Sequence, residues 1–359
     1  MSIRPKKILA GNSIFRPNTF SSIPRDPNTI WLDKNENLDE DHLRLMYKIY
    51  NDIQPLTIST YPDAGEAYSK LSSWLGVNPE NLILTPGSDG AIRMVFDAFV
   101  EKGDSVVYTN PTFAMYSVYS KIFEANPTEL NYSPHEEGPR LILEDIIKVL
   151  YKTKPKVFCL PNPDSPTGTI LTSQELRQIL SVCEETESLF LLDEAYHPFY
   201  EWSGIPWIKE SKNIIIARTF SKAWGSAGIR VGYAVGHPEA ISILHKIRPM
   251  YEVSTLATVF VSRLLDYVND MEVSVSKIKK GKEFFKSSLL DLGFKTLDTE
   301  GNFLHVDFGV NANKIHETLE KKVLYRAKFD HPSLSGYSRF TVAPKPVMER
   351  VVSLIKNVV

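Results

Sequence analysis

The chain has 359 residues, enough for one large core and a smaller second domain. Its 43% hydrophobic and 23% charged residues are the balance of an ordinary soluble enzyme. A net charge of −2 gives no electrostatic case for nucleic acid or an anionic membrane as partner.

Residues 1–53 carry several early prolines and read as largely irregular, a segment expected to pack on a small domain or on a partner subunit. No long apolar run follows Met1–Lys7, so neither a signal peptide nor a membrane span is expected, and the cytoplasm is the default location. Residues 54–253 then alternate short apolar runs with helical patterns. The runs 81–85, 105–108, 156–160, 189–192, 214–217 and 232–235 are rich in Val, Ile, Leu and Phe without simple alternation, as buried strands are. Between them, 89–100, 141–151 and 173–185 read as helices. Strand and helix in alternation predict an α/β domain with a mostly parallel sheet, whose site lies at the strand carboxyl ends. From 254 to about 292 the pattern is helical with few breakers, leading out of this domain; 303–308, 339–342 and the helical tail 347–356 then make a smaller α+β domain over 254–359.

The two cysteines, Cys159 and Cys183, lack the neighbours of a metal site or a disulfide framework, and no metal is expected. The basic run Lys277–Glu283 reads as the exposed face of a long helix.

The chemistry gathers around Lys222. Thr219 and Ser221 lie three and one residues before it and Arg230 eight after it, with small residues between. Such a lysine can form a Schiff base with an aldehyde, and the hydroxyls and the arginine can hold a phosphate. An aldehyde and a phosphate on one small molecule suggest pyridoxal phosphate; the plain alternative is a solvated lysine in a Ser/Gly loop. Gly87-Ser88-Asp89-Gly90 follows the first strand and opens a helix, whose N–H groups and dipole suit a phosphate, although an aspartate cap would look the same. Asp193 ends the run 189–192, where a carboxylate needs a partner: a pyridine nitrogen, or a helix cap or ion pair. Tyr196 is three residues on, within reach of a ring's phenolic oxygen. Pro161–Gly168 is a rigid turn after the 156–160 strand, and Phe113, after the 105–108 strand, can stack on a ring or serve simply as core.

Taken in order, these motifs resemble the fold-type I pyridoxal-phosphate-dependent aminotransferases over nearly the whole chain, and within them the histidinol-phosphate aminotransferases. The resemblance implies a fold with a large domain around a mostly parallel sheet and a smaller α+β domain. It implies that Lys222 binds the cofactor aldehyde and shuttles the proton, that Asp193 meets the pyridine nitrogen and Tyr196 the phenolate oxygen. Ser88, Asp89, Thr219, Ser221 and Arg230 would surround the phosphate, and Phe113 would stack on the ring where the family more often has tyrosine. Tyr61, in Thr60-Tyr61-Pro62-Asp63, matches a tyrosine that reaches the cofactor phosphate of the other subunit, which implies a homodimer with shared active sites. Arg326 and Arg339 bracket Pro332-Ser333-Leu334-Ser335-Gly336 with the family's spacing. By resemblance the second holds the α-carboxylate of glutamate, and both help hold a substrate phosphate; surface ion pairs are the plain alternative.

Departures cluster around the substrate. Ser165 stands where the family has an asparagine donating to the phenolate oxygen, so either its hydroxyl or Asn162 reaches in, while an ionised Asp164 would bring an unwelcome negative charge. Asp33-Lys34-Asn35-Glu36-Asn37 keeps the Asn-Glu-Asn core, with Asn37 implied at the substrate, but Leu38-Asp39-Glu40 replaces the usual Pro and Gly. Gly90 replaces a glutamate, residues 248–255 lack the family's asparagines, and Phe15 and Phe20 are the nearest aromatics to a missing pocket tyrosine. The expected activity is amino transfer from L-glutamate to a phosphorylated carbonyl compound such as imidazole-acetol phosphate. The alternatives are transfer to another phosphorylated ketone, decarboxylation of a phospho-amino acid, or non-catalytic cofactor binding.

Overall fold

The computed structural model describes residues 7–9, 14 and 25–358, which leaves Phe15 and Phe20 outside the described residues. A seven-stranded sheet forms the centre, in the order Leu82–Thr85, Gly232–Gly236, Ile214–Thr219, Leu189–Asp193, Val157–Pro161, Ser105–Asn110, Asn126–Asn131. Only Gly232–Gly236 runs against its neighbours; the other pairings are parallel. The fold is therefore the expected α/β class, and each expected strand of this region is present to within a few residues.

The unbroken apolar runs have a simple cause. Phe158, Leu160, Phe190, Leu192, Ile214 and Ile216 join one buried cluster. The residues between them, Val157, Cys159, Leu189, Leu191, Ile215 and Ala217, join a second. Successive side chains of a strand point to opposite faces, so a sheet covered by helices on both sides must be apolar at every position. Asn126–Asn131 was not expected as a strand: it is a polar edge strand, largely exposed, with Pro127 in it. Edge strands tolerate proline because one row of N–H groups has no partner to lose. The helix Ser173–Glu185 starts at a capping box in which Glu175 N–H donates to Thr172 Oγ1 and Glu175 Oε2 accepts from Thr172 N–H.

Beyond this sheet, Lys295–Leu297, Phe303–Asp307 and Tyr337–Thr341 form a three-stranded antiparallel sheet, and Val323–Leu324 pairs with Ile30–Trp31. The helices Val268–Asp291 and Lys345–Lys356 cover it, and Phe303, Phe340 and Met348 continue the first buried cluster. The segment 254–292 is helical as expected, Thr255–Leu264 and Val268–Asp291 being joined by a 3-10 turn at Leu265–Tyr267. Two expectations need correction. Residues 40–51 are not irregular but an amphipathic helix, Glu40–Asn51, started by the Asp39 side chain accepting from Asp41 N–H. And Lys282 is not on a solvated face. It is half-buried, donates to Thr299 Oγ1 at 2.9 Å and to the Gly301 carbonyl at 3.2 Å, and burial pulls its ammonium down to about 8. Among the described residues no helix is long and apolar enough to cross a membrane.

Candidate active site

The parallel strands bring their carboxyl ends to one edge of the sheet, and a cavity of about 430 Å³ opens there. Asp193 and Thr219 end two neighbouring strands, and Ser88, Phe113 and Ser165 follow the ends of three others. All of them line the cavity, together with Asp89, Tyr196, Ser221, Lys222, Arg230, Arg326 and Arg339. Residues spread over more than half of the chain thus converge on one concave site.

At one end of the cavity lies a cradle for an anion. The helix Gly87–Phe99 opens on it, and Pro86 at the cap position has no side-chain group to satisfy the first N–H donors. Gly87 has φ +75, and a Cβ there would sit 2.7 Å from Arg230 Nη2, so only glycine lets the guanidinium lie against this turn. Arg230 itself is left-handed, with φ 60, a conformation that costs a non-glycine residue about 1 kcal/mol and recurs at functional sites. Its Nη1 donates to Ser221 Oγ at 3.2 Å, and Thr219 Oγ1 donates to Ser221 Oγ at 2.9 Å. Asp89 accepts the Tyr119 hydroxyl at 2.8 Å.

In the middle is Asp193, 4% exposed. Oδ2 accepts from the Tyr116 hydroxyl and Oδ1 from Ala195 N–H, both at 3.0 Å. Burial outweighs both bonds and pushes the carboxyl up to about 6. Its neighbour Glu194 points the other way, into a buried ion pair with Arg218 at 2.7 Å that also takes Ser203 and Gly204 N–H. This pair holds the turn that presents Asp193 and Tyr196. Lys222 Nζ donates to the Lys34 carbonyl at 2.6 Å and stands 5.8 Å from the Tyr196 ring centroid. The Tyr196 hydroxyl accepts from Asn35 Nδ2 at 2.8 Å.

At the far end, Arg326 and Arg339 face each other across a pair of backbone hydrogen bonds, 3.1 and 2.8 Å. Arg339 is 8% exposed, donates from Nη2 to the Asp33 carbonyl at 2.8 Å and from Nη1 to Ser165 Oγ at 3.3 Å. Neither arginine has a carboxylate at salt-bridge distance among the described residues, and burial lowers the proton affinity of both. Two guanidinium groups without carboxylate partners at one end of a cavity are suited to an anionic ligand.

Other positions fall differently from the sequence reading. Asn37 does not line the cavity: Nδ2 donates to the Ala223 carbonyl and to Ser274 Oγ, both at 3.0 Å, tying the N-terminal segment to the long helix. Asn162 is likewise engaged elsewhere, its amide exchanging two hydrogen bonds with the Leu171 main chain, while Ser165 lines the cavity. Asp164 is fully buried beneath that wall, where Thr112 and Thr109 hydroxyls donate to it at 3.2 and 3.4 Å. Burial pushes it up to about 7, so a large share of it is neutral at physiological pH. Tyr61 lies outside this cavity, 79% exposed and stacked on Tyr251 at 4.8 Å. Tyr116, three residues after Phe113, and Asn35, in Asp33–Asn37, were not expected at the site; a buried carboxylate needing a donor was the available signal for the first.

The donor set fits pyridoxal phosphate: an amine on a flexible stem, a buried carboxyl for a ring nitrogen, a hydroxyl held by an amide, and a cradle with an arginine and two hydroxyls. The model for aminotransferases of class I and II matches residues 27–355. The chain is 30% identical to a histidinol-phosphate aminotransferase of Caldanaerobacter subterraneus, covering 91% of this chain and 92% of that one. It is 32% identical to one of Thermoanaerobacter pseudethanolicus, with 91% and 92% covered. Among solved structures it is similar to histidinol-phosphate aminotransferase from Sinorhizobium meliloti in complex with pyridoxal-5'-phosphate (TM-score 0.79, 22% identity, 97% and 100% covered). It is also similar to L-threonine-O-3-phosphate decarboxylase from Porphyromonas gingivalis (TM-score 0.74, 21% identity, 91% and 98% covered).

Proposed function

This chain belongs to the class I and II aminotransferase family, and on that premise we propose that it is a pyridoxal-phosphate-dependent histidinol-phosphate aminotransferase. The reaction is L-histidinol phosphate and 2-oxoglutarate giving imidazole-acetol phosphate and L-glutamate. The observation that carries the substrate assignment is the pair Arg326 and Arg339, which line the same cavity as Lys222, Asp193 and the anion cradle.

Bound there, the cofactor supplies an aldehyde that takes up the amino group and a protonated pyridine ring that draws charge away from the donor's α-carbon. With the cofactor in place, the Lys222 ε-amine would tether it through the aldehyde and, once free, would carry a proton from the donor's α-carbon to the cofactor's C4′. Asp193 keeps the pyridine nitrogen protonated; the nitrogen's positive charge in turn favours the ionised carboxylate that burial disfavours. The Tyr196 hydroxyl, fixed by Asn35, would meet the cofactor's phenolic oxygen, with the cavity-lining Ser165 as a second hydroxyl for it. Ser88, Thr219, Ser221, Arg230 and the N-terminal turn bearing Asp89 would hold the phosphate, and Phe113 would lie against the ring. Arg339 takes the α-carboxylate of glutamate or, with Arg326, the phosphate of L-histidinol phosphate, which lets one site serve both halves of a ping-pong cycle.

The active form is a homodimer with shared sites. Its support is the exposed apolar patch of Leu56, Ile58, Tyr61, Met250 and Tyr251, which lies outside the cavity and sets Tyr61 to reach a second copy. Asn37 acts at second hand, holding the segment that carries Lys34 and Asn35.

The test is glutamate formation from 2-oxoglutarate with L-histidinol phosphate as donor. Turnover on this pair with little on histidinol supports the assignment. Release of carbon dioxide from a phospho-amino acid without a 2-oxo acid would instead make the chain a decarboxylase, and no product from either would sink the substrate assignment.

A further inference from the structure

Beside the two arginines lies a fully buried histidine with no part in the chemistry above. His305 is on Phe303–Asp307, directly opposite Arg339 on the neighbouring strand. Partners in that register carry their side chains on one face of the sheet. Among the described residues neither ring nitrogen of His305 meets a partner at full hydrogen-bond geometry, the Pro166 backbone offering only a weak one, and Arg339 Nε has none. An imidazole in such a place costs stability unless it is kept for another reason.

The surrounding rings supply the reason. Arg339 lies over the Phe303 ring, 5.4 Å from its centroid, and Arg326 over the Phe329 ring at 4.3 Å. His305 stands between those two rings: 5.6 Å from Phe303 at an interplanar angle of 90°, and 5.7 Å from Phe329 at 58°. The three rings form a continuous row, with one guanidinium on each outer member. A cation over an aromatic face is held by the ring's negative quadrupole, so the row fixes where each charge can sit. The middle ring must be flat and uncharged, since a third cation there would repel both arginines. Burial first, then Arg339, pull the His305 imidazole down to about 3, with Lys282 and Arg326 adding to the effect and only the Pro166 backbone opposing it. It is therefore neutral under all working conditions.

We propose that Phe303, His305 and Phe329 are a pedestal that sets the separation of Arg326 and Arg339, making His305 a positioning residue for recognition of the substrate anion. This rests on the anion-binding role assigned above to the two arginines. No step of the chemistry passes through His305. Its effect belongs to binding of the phosphate-bearing and dicarboxylate substrates.

His305→Ala empties the middle of the row, and His305→Phe refills it with a ring. The measurements are KM and kcat for L-histidinol phosphate and glutamate, and the calorimetric affinity of the holoenzyme for glutarate, which is not turned over. The expected result is a KM for L-histidinol phosphate and a glutarate Kd each raised about tenfold in His305→Ala, kcat within about twofold, and values near wild type in His305→Phe. Phe329→Leu, which removes the ring under Arg326, supplies the same test where the alanine variant does not fold, and is expected to raise KM alike. Unchanged anion affinity in the folded variants overturns the proposal, as does a fall in kcat as large as the rise in KM. If the wild-type holoenzyme itself neither binds glutarate nor turns over L-histidinol phosphate, it is the substrate assignment that fails instead.

Discussion

Asp193→Asn separates what burial costs this protein from what the carboxylate does for it. Burial moves the Asp193 carboxyl from its ordinary 3.8 up to about 6, which corresponds to roughly 3 kcal/mol lost on carrying the charge in the cofactor-free protein at pH 8. The folded-state value lies above the unfolded one, so between pH 3.8 and about 6 the native chain keeps a proton that the unfolded chain has released. Stability from this group therefore falls as pH rises through that window and is flat above it. Asparagine has nothing to ionise and can still meet Ala195 N–H and the Tyr116 oxygen. With imperfect hydrogen bonding allowed for, the cofactor-free variant should gain about 1–3 kcal/mol at pH 8 and about half of that at pH 5. Asp164 feels the Asp193 charge, so its own value drops in the variant and the gain grows in the same direction. Urea denaturation of the cofactor-free wild type and variant at the two pH values measures this. Activity should fall by about two orders of magnitude or more, because an amide cannot hold the pyridine nitrogen protonated. A variant no more stable than wild type at pH 8, or equally stabilised at both pH values, would refute the burial argument.

Four further outcomes follow from the geometry. Lys222→Ala should lose turnover yet still bind pyridoxal phosphate non-covalently, so that borohydride treatment followed by mass spectrometry finds no adduct; full activity would end the lysine's assignment. Arg339→Lys loses the fork to Ser165 and the Asp33 carbonyl, and steady-state kinetics should show KM raised about tenfold to a hundredfold with a smaller change in kcat. Gly168→Ala puts a Cβ 2.3 Å from Thr299 Cβ and 3.0 Å from its Cα, at φ +77, and should cost about 2–4 kcal/mol in a denaturant melt. On the proposed dimer, in which Tyr61 reaches the cofactor phosphate of a second copy, Tyr61→Phe should weaken cofactor retention on dialysis about tenfold, while the cofactor-free melting temperature changes little.

How far the chain could be read from its letters depended on how local each cause was. The run 189–192 is apolar at every position because both faces of its strand are covered, and Asp193 at its end is the abrupt change such a strand shows on reaching a site. The same logic failed for Asn126–Asn131, whose partner lies on one side only and whose sequence buries a single apolar residue, Leu130. Glu40–Asn51 was legible in principle, from Asp39 followed by two acids and an apolar stripe, but the proline-rich stretch before it obscured the change of pattern.

Local chemistry was thus determined by sequence: the lysine with its hydroxyls and arginine, the glycine turn, the carboxylate at a strand end. Each depends on neighbours a few residues away, whose spacing follows from backbone geometry. Directions across long separations were decided only by tertiary structure. Asn35 and Asn37 are two residues apart, yet one turns to Tyr196 and the other to Ser274. Asn162 is spent on Leu171, leaving the cavity wall to Ser165. Lys282, within a basic run, is drawn inward by carbonyls of a loop seventeen to nineteen residues further on. His305 gains its place between two arginine-bearing rings only through the register of two strands more than thirty residues apart. Residue type and spacing state which groups are available. Packing decides which of them face one another, because a buried polar group goes wherever the assembled fold offers it a partner.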